Sequence, residues 1–584
     1  MKSGHLVLAG VSITALLAAC GGGGGGGGHG GGGGGGGGAG TTPATITSLS
    51  PTTVTAGGPT FTLTINGSNF APGGTVNLNG GSIGTYHYLS ASQVTILVPF
   101  MQIPGPSAAT VDVQIPNAKK SNSLTLSVNS FNTSACVLFG PYDFFFTGFD
   151  ANGPVTIAGS FGVDVNGNVT GEQDLKTSST TSVAEPITDG TCVNSAIANE
   201  GTLTLTTADE TTTYTFVTQT HPAPGVKGRV ATSGGGFSGS GRFALAGGGF
   251  FSGDYVLGLV GNNSSGGRMS VLGRFTDTSP GLNASGTVSA GMGDINDDGT
   301  VSSQVTISGT IGAPDAYSRS AATLTVGAET LRLAIYLTGA AAGFVANADP
   351  SASAPRLAGV VNGQAGAGLF NNGNLDAPVV LSIWGASSGV SPASDTSVGI
   401  ASGFNAQSGT FNLLLDQVAG GVASLDQTIT GATYSIAANG RAVASYTSGG
   451  KAHSVILYLD DFNDGYILDT GPTVGYGFFE AQAAGPFSIT SMQGGAFHAG
   501  TWFSPVAAAP NTVGQLSFNG DLSVSGATTG TYAVDPAGTG RGTAQLTAPL
   551  FGGSNVVFYI GSGSFVVMMG SDAVTTDAIS FLNL

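Results

Sequence analysis

The chain has 584 residues, of which 100 are glycine and only 8% are charged, and its formal net charge is -17. Disordered chains combine low hydrophobicity with high charge, so this composition excludes wholesale disorder. The acidic balance, with no basic cluster beyond Lys119 and Lys120, excludes a phosphate backbone as partner, and no nucleic acid is expected.

Lys2 precedes an apolar run from Leu6 to Leu17 that is short for a membrane span. The run ends in Leu17-Ala18-Ala19-Cys20. This resembles the lipobox of bacterial lipoproteins. The resemblance implies that residues 1–19 are a signal peptide, that Cys20 is lipidated and opens the mature chain, and that the membrane is a partner through that anchor. It also implies a place in the bacterial cell envelope, at the outer membrane or cell surface. The other reading is an ordinary secretory signal with an incidental cysteine. Residues 20–43 follow as a glycine tract broken by His29, and a flexible tether of this kind spans about 25 Å.

Residues 44–128 alternate apolar and polar positions, with turns every 8 to 12 residues, as in a β-sandwich. Ser50-Pro51, Gly67-Ser68-Asn69-Phe70 and Val98-Pro99 mark the turns. The segment resembles the IPT/TIG immunoglobulin-like domain. That resemblance implies a binding or spacer module of a surface protein, sometimes set beside a catalytic domain in carbohydrate enzymes. Beyond it, Cys136 and Cys192 are the remaining cysteines. In an exported chain they most simply pair, which would contribute roughly 4 kcal/mol through loop closure; two free thiols or a metal site are the alternatives.

From residue 137 onward the chain repeats weakly. Gly440-Arg441 and Gly540-Arg541 close two related segments, each followed by a buried-looking strand, Val455-Ile-Leu-Tyr458-Leu and Val556-Val-Phe-Tyr559-Ile. Leu331-Arg-Leu-Ala-Ile335-Tyr-Leu is similar, and Thr213-Tyr-Thr-Phe216-Val more loosely so. A spacing of about 100 residues exceeds the solenoid and propeller periods and suits whole domains. Asn-Gly turns between alternating segments, as at Asn166-Gly167 and Asn519-Gly520, predict successive hairpins. A meander of six to eight strands avoids open edges by closing on itself. The fold class is therefore all-β: an Ig-like β-sandwich, then tandem antiparallel β-barrel or sandwich modules at 137–232, 233–350, 351–482 and 483–584.

Few residues suggest chemistry. Asp294, Asn296 and Asp298 match the first half of a calcium loop, but Val305 stands where the bidentate carboxylate belongs. A turn explains the run better, as it does for Asp164 to Asn168 and Asp460 to Asp464. Gly385-Ala-Ser387-Ser-Gly389 and Gly80-Gly-Ser82-Ile-Gly84 spell a nucleophile elbow, yet no helix follows either. His87, His221, His453 and His498 are scattered. Phe144-Phe145-Phe146, Trp384 and Trp502 could stack on sugars but read better as core. No catalytic residue, metal or cofactor is assigned. The function expected is a non-enzymatic, lipid-anchored spacer, adhesive or binding module with a surface glycan or protein as ligand. The alternatives are a carbohydrate-active or other hydrolase, and a carrier enclosing a small apolar ligand in a barrel lumen wider than side chains fill.

Overall fold

The computed structural model describes residues 42–583, apart from 57–60, 99–101, 104–106, 117, 130–135, 165, 219–226, 248–252, 280–284, 340, 390–391, 493–495, 501–512, 527, 551–552, 563–564 and 573–577. Residues 1–19, Cys20 and the glycine tract after it lie outside the described residues. The described chain is built almost entirely of strands, and among the described residues no helix is long and apolar enough to cross a membrane.

The N-terminal unit is a sandwich of a four-stranded and a five-stranded sheet. Alternation places Leu63, Ile65, Val94, Val111, Val113 and Leu126 between the sheets, fully buried. At the turn after Gly67, Asn69 takes a left-handed backbone (φ 61°), a conformation asparagine tolerates better than most residues.

Four modules follow, each a meander of eight segments whose first strand pairs with its last. Modules 2, 3 and 4 are closed barrels, spanning residues 253–363, 379–481 and 496–583. Module 1, residues 140–245, is a nine-stranded sheet in which the fourth segment breaks into Thr181–Ile187 and Asp189–Asn194. The sheet opens between those halves. Cys192 on the second half is bonded to Cys136, and the Cys192 N–H donates to the Gly167 carbonyl at 2.7 Å. The disulfide thus ties the opening to the chain that enters the first strand.

Two expected boundaries shift. Phe237–Leu245 pairs with the first strand of module 1, and Arg356–Gly363 with the first strand of module 2. A division at 350/351 would strip the module 2 barrel of its closing strand, and one at 232/233 would cut Lys227–Gly234 and strip module 1 of Phe237–Leu245. Hydrophobic alternation marks a strand but not which neighbour it closes against, so the displacement is a whole strand.

The sixth strand of each barrel, Glu329–Gly339 in module 2, Lys451–Asp461 in module 3 and Gly553–Ser562 in module 4, has two buried faces. Val455, Leu457 and Leu459 point into the lumen of module 3, while Ile456 and Tyr458 join an apolar core running between modules. That core takes Phe145 and Ala158 from module 1, Val256 and Phe344 from module 2, Trp384 and Ile400 from module 3, and Val557 and Val567 from module 4. The last three strands of modules 2, 3 and 4 pack on the early strands of the module before, and the first two strands of module 4, Ala496–Gly500 and Val513–Phe518, lie against strands 6 and 7 of module 1, Thr211–Thr218 and Lys227–Gly234. The same head-to-tail contact therefore returns to its start, as a heterologous interface must if it is to make a ring rather than a filament.

Candidate ligand-binding site

The repeated Gly-Arg and Tyr positions join the modules. Arg319, Arg441 and Arg541 open strand 5 of modules 2, 3 and 4, and each stands directly across from a tyrosine of strand 6, Tyr336, Tyr458 or Tyr559. Each pair closes on a fully buried aspartate of the preceding module: Asp174, Asp294 or Asp416. The guanidinium donates two parallel hydrogen bonds at 2.7–2.9 Å. The phenol donates a third at 2.5–2.8 Å. A fourth comes from the backbone N–H of Ala184, Gln304 or Asp426 on the adjacent strand. These three residues hold left-handed backbone (φ 51°, 55° and 55°), at bulges where the pairing register slips beside the aspartate. A bulge re-aims a side chain, and here it turns an N–H onto a carboxylate. Burial and the neighbouring aspartate push the Tyr458 phenol up, and the bond to Asp294 holds the Arg441 guanidinium above its ordinary value.

Gly440 sits just before Arg441 with φ 84°. A Cβ there would meet the Gln364 side-chain nitrogen at 2.5 Å. Gln364, immediately after the last strand of module 2, uses that nitrogen to donate to the Leu459 and Asn439 carbonyls of module 3. Gln482 does the same to Ile560 and Thr539 of module 4. The Gly-Arg repeat is thus a docking signal rather than a chemical site.

This also reassigns the calcium-like run. Asp294 is consumed by Arg441 and Tyr458. The Asn296 amide donates to the Asp469, Gly471 and Thr473 carbonyls of module 3. Asp298 accepts from the Gly389 N–H, and Asp298-Gly299 forms the hairpin turn, with φ 50° and 88°. The three side chains point to different protein partners, because alternate strand positions here serve a docking face.

Positions counted from the Arg and Tyr pairs can be compared between modules, and module 3 departs from the others at one end of its lumen. Where module 2 buries Met269, Val271, Ile295, Leu324 and Leu331 in its core, module 3 carries Asp395, Ser397, Gln417, Tyr446 and His453. The Tyr446 position is leucine in every other module: Leu205, Leu324 and Leu546, all buried. The polar set opens a cavity of about 540 Å³ at the barrel end, also lined by Gln427, Lys451, Asp469 and the 470–473 loop. Below it Ile383 and Tyr446 border a smaller, apolar space of about 50 Å³.

The walls of this mouth are ordered by hydrogen bonds. Asp395 accepts from Gln417 at 2.9 Å and from Thr473 at 2.8 Å. Tyr446 and His453 are cross-strand partners whose rings stack at 5.0 Å, 7° from parallel. Asp469 accepts from the Gly471 N–H at 2.6 Å. Burial raises the Asp469 carboxyl to about 6, and the nearby Asp395 adds to the rise. Burial also pushes the Tyr446 phenol up, with Asp469 and Asp395 contributing.

The other sequence candidates fall elsewhere. The Ser387 hydroxyl accepts from the Ala393 N–H at the end of a strand. Ser82 and His87 lie exposed on the sandwich. Phe144 and Phe146 fill module 1, while Phe145 and Trp384 belong to the core between modules, so none of them forms a sugar platform. His221, Trp502 and the His498 side chain lie outside the described residues. Sequence reading singled out neither Asp395, Tyr446 nor Asp469. An alignment of the four modules on their Arg and Tyr positions would have exposed Tyr446 as the odd residue.

No curated protein matches the chain. Residues 44–135 match the IPT/TIG domain family, and the N-terminal sandwich is an IPT/TIG domain.

Proposed function

We propose that this protein is a lipid-anchored binding protein of the bacterial cell envelope, in which the IPT/TIG domain and a ring of β-modules present one ligand site, the mouth of module 3. One observation carries the reading: a lumen end that module 2 fills with aliphatic side chains is polar and open in module 3. Polar groups are costly to keep in a barrel interior, and a cavity of 300–1,000 Å³ is typical of small-molecule sites. The 50 Å³ apolar space is far smaller than that range, which argues against a carrier that swallows an apolar ligand and favours a ligand seated in the polar mouth. The role proposed is binding, not turnover.

The test replaces the mouth with its sister's residues: Asp395→Met, Ser397→Val, Gln417→Ile, Tyr446→Leu and His453→Leu. A glycan and small-molecule screen of residues 44–584 should yield ligands that this variant no longer retains. Ligands held equally by both proteins would overturn the assignment of the site. Anchoring is tested apart, by Cys20→Ala: membrane partition equal to wild type would refute the lipid anchor.

A further inference from the structure

Resting on the mouth of module 3 as a ligand site, we infer that its ligand is an organic cation, a primary amine with an apolar body, whose ammonium lies between Asp395 and Asp469 and whose body rests on Ile383 and the Tyr446–His453 stack.

The charge inventory points this way. The titratable and charged side chains lining the cavity are Asp395, Asp469, His453, Tyr446 and Lys451. Lys451 is exposed at the outer edge, whereas both carboxylates sit within the wall. Asp469 already ionises with difficulty through burial. A neutral ligand covering the pair would strip more water from two negative charges and return no countercharge, and an anion would be repelled outright. An ammonium repays that desolvation with charge-assisted hydrogen bonds. A bare metal ion fits less well. Among the described residues no three His, Cys, Asp or Glu side chains gather to hold one, and the cavity of about 540 Å³ with an apolar floor leaves room for a body that an ion lacks. Asp395 is presented by Gln417 and Thr473, and the rim carrying Asp469 is pinned from module 2 by Asn296, so the pair is set in place before the ligand arrives.

The experiment titrates the mature chain by calorimetry with benzylamine, and in parallel with benzyl alcohol, benzoate and calcium chloride. Benzylamine is expected to bind at least tenfold more tightly than the others at pH 7.5. Its affinity should fall about tenfold between pH 7.5 and pH 5 as Asp469 takes up a proton. Asp469→Asn should weaken it at pH 7.5 and flatten the profile between pH 7.5 and pH 5. Thermal unfolding and circular dichroism of the variant establish that it is folded. No benzylamine binding, or equal binding of benzyl alcohol, benzoate or calcium, overturns the cationic ligand. If screened ligands of another charge still depend on the mouth residues, the binding site stands and this inference alone falls.

Discussion

The Arg441 guanidinium of module 3 grips the Asp294 carboxylate of module 2 through two hydrogen bonds of 2.8 Å, with the aspartate wholly removed from solvent. The contact recurs at Arg319 with Asp174 and at Arg541 with Asp416. A buried ion pair of this kind adds little net stability over an apolar replacement, but leaving one partner alone is costly. Its effect is to fix register: one strand of slip between modules would strand a carboxylate in the interface.

Arg441→Met is therefore expected to destabilise the folded chain by about 3–5 kcal/mol, because Asp294 stays behind uncompensated. The combination Asp294→Leu, Arg441→Met and Tyr458→Phe should recover most of that loss. Denaturant unfolding of the three proteins checks both halves, and a single substitution as mild as the triple one would show that the pair does not hold the modules together.

At the bulge, Gln304→Val should destabilise despite the preference of valine for strands. Gln304 has φ 55° and turns its N–H onto Asp294. A β-branched residue is strained there by about 1–2 kcal/mol, whereas Gln304→Gly should be neutral or slightly stabilising. Paired melting curves read the order glycine, glutamine, valine.

Removing the disulfide by Cys136→Ser should lower the stability of module 1 by roughly 4 kcal/mol in the chain-entropy model. The loss should concentrate in Asp189–Asn194, the half-strand that Cys192 carries, and hydrogen exchange of those amides would report it. Thiol counting on the denatured wild-type protein, freed of Cys20, should find no reactive thiol.

Asp469 links stability to pH. Its carboxyl is raised to about 6 in the folded protein, above the unfolded value of about 3.9. Between those values the folded state holds more protons than the unfolded one, so this group's contribution is complete below pH 4 and is lost as pH rises through 6. Asp469→Asn should then stabilise the protein at pH 7.5, by up to about 3 kcal/mol, and the gain over wild type should vanish by pH 4. A gain at both pH values would mean that the carboxylate is not the cause.

The ring should open first where module 4 returns to module 1. There the Arg and Tyr positions are held by Glu200 and Val217 of module 1, which face each other across the same strand pair, and neither can donate to a buried carboxylate. Amides of strands 6 and 7 of module 1 are expected to exchange faster than their equivalents in modules 2, 3 and 4. Val217 also explains why the Thr213 to Val217 segment matches the other strand-6 sequences only loosely.

Much of the architecture was legible in the residues themselves. Alternation, Asn-Gly turns and sparse charge dictate hairpins and closed β-modules through local physics: period-two side chains, left-handed turn positions and the penalty for an open edge. The IPT/TIG domain was legible for the same reason, since its turns are set by near neighbours. The Gly-Arg and Tyr repeats were visible too, but not their meaning, because their partners Asp174, Asp294 and Asp416 lie 125 to 147 residues away. Only the tertiary structure decided which strand closes which barrel, turned an apparent calcium run into a docking face, and gathered Asp395, Tyr446, His453 and Asp469 around one mouth. Those outcomes rest on contacts between residues remote in sequence, where each side chain's role is fixed by what the ring places opposite it.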